Sequence, residues 1–133
     1  MQAVNPNHGG LWIAGYSFGA FIGMQLLMRR PEISGWVSVA PPASHYDFGF
    51  LAPCPSSGLI VGAEKDEVVP LDDIKKLVAR LSLQKGITVE SGIVKGANHF
   101  FHNTLDKLAV DVDKYVAKCL ISPPGRATSN KEP

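Results

Sequence analysis

Gly15-Tyr16-Ser17-Phe18-Gly19 is the stretch on which the reading of this chain turns. Before it runs Leu11 to Gly15, apolar and uncharged, as expected of a strand buried on both faces. After it runs Phe18 to Arg29, almost wholly apolar or small, which reads as a helix in the interior rather than on the surface; Pro31 helps stop it. A serine between two glycines, where a strand turns sharply into a helix, occupies a strained turn that presents its hydroxyl. The small neighbours let strand and helix approach closely. The Phe18 N–H at the helix start then points to where negative charge would develop in an acyl-transfer reaction. The pentapeptide alone arises by chance in roughly one chain in ten of this length, so its weight comes from its placement.

Outward from that turn the chain alternates strand and helix candidates, a pattern that favours a parallel sheet covered by helices. Gly35 to Ala40 reads as a second strand ended by Pro41 and Pro42, and Gly58 to Gly62 as a third. Pro41 to Ser57 between them is rich in Pro, Ser and aromatics and reads as a long loop, a type that is often functional. Leu71, Ile74, Leu77, Val78 and Leu81 recur at helical spacing, with Asp72 and Asp73 in the first turn and a stop at Lys85 and Gly86. Ile87 to Val94 is a fourth strand, followed by a loop over Gly96 to His99. Asn103 is placed to cap a last helix with Leu105, Leu108, Val112, Tyr115, Val116 and Cys119 on one face. The expected fold is therefore α/β: a parallel sheet of about four strands flanked by helices over residues 1–121. A proline-broken polar tail over 122–133 is expected to be disordered.

A serine hydroxyl needs an adjacent base, itself oriented by a carboxylate. Asp66 follows the third strand and His99 the fourth, which puts both at the carboxyl edge of the sheet with Ser17, in the chain order serine, acid, histidine. Glu64 competes with Asp66, and His102 is second to His99. His8 and His45 do not follow a strand and read as ordinary surface or loop residues. His8-Gly9-Gly10, which looks like an oxyanion-loop element, lies directly before the serine strand and reads as a turn. Tyr16, Tyr46 and Phe48 are the candidate walls of an apolar acyl pocket.

Composition narrows the classes. With 13 Lys and Arg against 12 Asp and Glu, the net charge of +1 gives no basic footprint for nucleic acid. Arg29, Arg30, Glu32 and Asp47 are the only charged residues before Glu64, so the first half reads as interior. No apolar run reaches the roughly 18 residues of a membrane helix, and no signal-peptide pattern opens the chain, so the expected location is cytoplasmic. Cys54 and Cys119 lack metal spacing and read as free thiols, and no His, Asp or Glu cluster suggests a metal enzyme.

Together, Gly-Tyr-Ser-Phe-Gly-Ala (15 to 20), Arg-Arg-Pro-Glu (29 to 32), Val-Ala-Pro-Pro (39 to 42), Leu-Ala-Pro-Cys-Pro-Ser-Ser-Gly-Leu-Ile (51 to 60), Lys-Asp-Glu-Val-Val-Pro (65 to 70) and Gly-Ala-Asn-His-Phe-Phe (96 to 101) resemble small, lid-poor bacterial serine α/β-hydrolases related to the dienelactone hydrolase and carboxylesterase group. The resemblance implies a catalytic triad of Ser17, Asp66 and His99 acting on small esters or related acyl compounds, with no metal or organic cofactor. Dienelactone hydrolases proper carry Cys where this chain has Ser17, so that substrate does not carry over. Members of the group are longer at the N-terminus, where earlier strands complete the sheet and supply a second oxyanion donor. Loss of one such donor costs on the order of 100 to 1,000-fold in turnover. Without those strands the serine strand would be an apolar edge open to pairing, so a homodimer or a missing N-terminal segment is expected. The alternative to an active esterase is a catalytically impaired, truncated hydrolase fragment serving as an association module.

Overall fold

The computed structural model describes residues 2–4, 11–51 and 53–122. The His8-Gly9-Gly10 turn and all but the first residue of the expected disordered tail lie outside them.

The order of elements is β1 (Gln2–Val4), β2 (Leu11–Tyr16), α1 (Phe18–Arg29), β3 (Ile33–Val39), a 3-10 turn (Gly49–Leu51), β4 (Gly58–Ala63), α2 (Leu71–Ser82), β5 (Val89–Val94) and α3 (Leu105–Ile121). Strands β2 to β5 are parallel and stand side by side in chain order. This is the expected four-stranded parallel sheet flanked by three helices. One strand was not foreseen: β1 adds an antiparallel edge, pairing Gln2, Ala3 and Val4 with Ala14, Ile13 and Trp12. The serine strand β2 is therefore second in the sheet, and the bare edge expected for it is covered along those three residues.

Alternation along β2, β3 and β4 sends side chains into two cores, one on either face of the sheet. Ile13, Trp36 and Ile60 point to the face covered by Met24 and Leu27 of α1 and by Ile74, Leu77 and Leu81 of α2. Trp12, Val37, Leu59 and Val61 point to the opposite face, where Tyr115 and Cys119 of α3 cover them. Because both faces of β3 and β4 are buried, β4 is a continuous apolar run and β3 departs from one only at Ser34 and Ser38, so neither offers a polar alternation to read.

Two expectations are corrected in detail. Helix α1 lies on the surface: Ala20, Gly23, Met24 and Leu27 form its buried stripe, while Phe18 and Met28 are exposed. Asn103 does not cap α3; Thr104 holds that position without a side-chain hydrogen bond, and Asn103 sits in the left-handed region at φ 57°. The described residues of the segment 41–57 form a long loop, as expected, interrupted by the Gly49–Leu51 turn; it packs inward, with Phe48, Leu51 and Cys54 buried in the core on the α1 and α2 side.

Candidate active site

Ser17 stands between β2 and α1 with φ 55° and ψ −124°, outside the ordinary range for a residue with a side chain. Three contacts impose this conformation. The Ser17 N–H donates to the Val39 carbonyl at the end of β3 (2.8 Å), and its own carbonyl accepts from Ala20 N–H (2.8 Å) in the first turn of α1. Gly15 lies against the helix so closely that a Cβ there would overlap the Gly19 carbonyl and sit 2.8 Å from Ala20 Cα. Gly15 thus lets strand and helix come together around the serine. Among the described residues no backbone acceptor takes the Phe18 N–H, which is left at the α1 N-terminus as helix starts leave their first donors.

Asp66 follows β4. Its Oδ1 accepts the N–H groups of Val68 (2.8 Å) and Val69 (2.7 Å), a local turn that fixes the carboxylate. Its Oδ2 is 2.8 Å from His99 Nδ1, and both side chains are nearly inaccessible, 2% and 5% exposed. An ionised carboxylate only accepts, so Nδ1 carries the proton and the Nε2 lone pair is left facing Ser17 Oγ, 2.9 Å away. Residues 82 and 33 positions apart in the chain are thereby joined in one hydrogen-bonded line.

The competing candidates go elsewhere. Glu64 Oε1 accepts Gly96 N–H (2.8 Å), and exposed His102 pairs through Nδ1 with the Asn98 side chain (3.1 Å). His45 is exposed and bonds Ser44 (3.0 Å). Cys54 and Cys119 are free, as expected, and both are buried. No group of three or more His, Cys, Asp or Glu among the described residues is placed to hold a metal ion. No helix among them is long and apolar enough to cross a membrane.

The three candidate pocket residues divide. Tyr46 is 42% exposed, stacked on Phe21 (centroids 4.5 Å) and close to exposed Phe18 (5.5 Å), so an aromatic shelf lies beside the serine turn. Phe48 is 3% exposed and supports that shelf from below through Phe21. The Tyr16 ring packs against His99, while its hydroxyl donates to the His99 carbonyl (2.7 Å). Burial, then the charges of Asp66 and Glu67, raise the Tyr16 pKa, so the phenol keeps its proton.

Sequence reasoning missed Glu67, whose Oε1 accepts the His99 N–H (3.1 Å). Hydrogen bonds from its own N–H and from that of His99 hold its carboxyl below the usual range. The one available signal was its adjacency to Asp66.

The chain is similar to a candidate α/β hydrolase of unknown function from Agrobacterium tumefaciens, 50% identical at TM-score 0.83 over 92% of this chain and 54% of that one. It is also similar to an α/β serine hydrolase homologue from Coxiella burnetii, 37% identical at TM-score 0.61 over 73% of this chain and 44% of that one. An uncharacterized protein of Rickettsia prowazekii is 43% identical over 87% of this chain and 50% of its own length. No protein-family model matches. The fold is thus that of an α/β-hydrolase-like protein, and the chain spans about half the length of the relatives it matches.

Proposed function

We propose that this chain carries the catalytic centre of a serine hydrolase acting on small carboxylic esters. What carries the reading is the line from Asp66 Oδ2 through the His99 ring to Ser17 Oγ, at 2.8 and 2.9 Å. In the proposed reaction Ser17 Oγ attacks the ester carbonyl carbon as His99 Nε2 takes its proton. The oxyanion that forms is held by the Phe18 N–H, assisted by the positive end of α1. Collapse expels the alcohol, which leaves with the proton returned by His99. Water, deprotonated by the same nitrogen, then frees the acid from acyl-Ser17. Asp66 stays ionised throughout and stabilises the imidazolium. The shelf of Phe18, Phe21 and Tyr46 suits an apolar acyl or alcohol group, and none of these steps calls for a cofactor.

Similarity to serine hydrolase homologues supports the reaction class. The relatives' greater length supports two further parts of the proposal, that additional chain or a second copy completes the β1 side of the sheet and supplies the second oxyanion donor. A monodisperse monomer in light scattering at micromolar concentration would count against the second copy. A cytoplasmic location belongs to the same proposal, supported by two buried thiols left unpaired.

Labelling with a fluorophosphonate probe, followed by mass spectrometry, tests the centre. The expected result is a single adduct on Ser17, lost in Ser17→Ala. A folded chain that takes no adduct, or takes it elsewhere, overturns the reading.

A further inference from the structure

We infer that Tyr16 and Glu67 are positioning residues that hold the main chain of His99 where its ring can reach Ser17, an inference that rests on the roles just proposed for those two residues.

His99 lies in the 95–104 connection between β5 and α3, and that connection is not in a relaxed conformation. Phe101 (φ 55°) and Asn103 (φ 57°) both occupy the left-handed region without being glycine. Such a segment keeps its shape only if its surroundings fix it. On one side they do. The segment after β4 meets it in a ladder: Glu64 N–H to Val94 O (3.1 Å), Gly96 N–H to Glu64 Oε1 (2.8 Å), Lys65 N–H to Ala97 O (2.8 Å) and His99 N–H to Glu67 Oε1 (3.1 Å). This ladder sets His99 relative to Asp66, because both belong to neighbouring strand ends.

It does not set His99 relative to Ser17. The serine follows β2 and the histidine follows β5, with β3 and β4 between them. Apart from the Oγ–Nε2 pair itself, the direct hydrogen bond between the serine turn and His99 among the described residues is Tyr16 Oη–H to the His99 carbonyl, 2.7 Å. Tyr16 immediately precedes Ser17 and ends β2, so its phenol spans the gap as a strut of fixed length. The ring lies tilted on the imidazole (centroids 5.6 Å) and edge-on to Phe101 (6.3 Å), which limits its rotation. With the N–H held by Glu67 and the carbonyl held by Tyr16, both peptide planes flanking His99 are fixed, and with them the direction of the Cα–Cβ bond that carries the ring. A misplacement of about 1 Å in such a group costs on the order of 100-fold in rate.

The test compares the wild-type chain with Tyr16→Phe, Glu67→Gln and Glu67→Ala. One readout is the fluorophosphonate inactivation rate per titrated active site. A second is the downfield His99 Nδ1 proton resonance, which needs no chemistry at Ser17. Thermal unfolding verifies that each variant is folded. Tyr16→Phe keeps the ring and loses the strut; it is expected to label about tenfold more slowly per site and to broaden the resonance. Glu67→Ala is expected to slow labelling, and Glu67→Gln, which retains an oxygen acceptor, to recover most of that loss. Wild-type rate and an unchanged resonance in folded Tyr16→Phe would overturn the role of Tyr16. Equal loss in Glu67→Gln and Glu67→Ala would overturn that of Glu67. A wild-type chain that does not label at all would instead sink the proposed function, and the resonance would still report whether Tyr16 positions His99.

Discussion

Ser17 holds a backbone conformation that costs a residue with a Cβ on the order of 1–3 kcal/mol. Ser17→Gly and Ser17→Ala both remove the hydroxyl, but only glycine releases the strain. Ser17→Gly is therefore expected to be the more stable of the two by about 1 kcal/mol, after the greater entropy glycine loses on folding, or about 4 °C in melting temperature. Equal melting temperatures would show that the turn is not strained. Asp66 has two tasks that two substitutions separate. In Asp66→Asn an amide oxygen still accepts from Val68 and Val69, but the amide nitrogen then faces His99 Nδ1 and donates to it. The imidazole is forced into the tautomer with its proton on Nε2, facing Ser17, where it can no longer accept. Activity is expected to fall on the order of 10,000-fold with stability little changed. Asp66→Ala loses the turn as well and is expected to unfold at lower denaturant. The sequence shows Ser17, Asp66 and His99 because each follows a strand, where side chains gather at the carboxyl edge. It does not show that Glu67 supports His99 while Glu64 supports Gly96, since that depends on which loop atoms meet across 32 residues of chain.

At the scale of elements, α1 and β2 approach so closely that Gly15 has no room for a side chain. Gly15→Ala would bring a Cβ within 2.6 Å of the Gly19 carbonyl carbon, a backbone atom that cannot turn aside. We expect a loss of about 3 kcal/mol or more in denaturant unfolding, together with loss of labelling at Ser17. A stable, labelled variant would mean that the turn tolerates a wider crossing. The elements themselves were legible because apolar runs and breakers coincide: α1 occupies Phe18 to Arg29, as its pattern suggests. The side it exposes was not legible. A run of Phe, Ile, Met and Leu carries no polar face to mark solvent, and the aromatic shelf over Phe18 and Tyr46 takes the place of one.

Across the whole molecule, the buried Cys54 thiol ties stability to alkaline pH. Burial raises its pKa from 9.0 to about 11. A pKa raised on folding contributes stability that is fully present below pH 9 and lost as pH climbs to about 11, where the unfolded chain ionises first. Two units correspond to at most about 3 kcal/mol. Denaturant unfolding between pH 9 and 11 should show a shallower decline in Cys54→Ala than in wild type. Parallel declines would mean that the thiol ionises equally in both states. Tyr115 and Cys119, also pushed up by burial, act in the same direction and leave a residual slope.

By itself the sequence determined the four parallel strands, the three helices and the serine, acid and histidine placed after the ends of β2, β4 and β5. Period, breakers and chain order are local properties, and they survive without knowledge of distant contacts. Only the tertiary structure decided that Asp66 rather than Glu64 meets the His99 ring, that Phe48 belongs to the core, that β1 covers part of the edge of β2, and that Tyr16 spans from the serine turn to the histidine main chain. Each of these is a contact between segments remote in the chain, set by how strands register and how far a side chain reaches across the sheet edge. No local pattern encodes those distances.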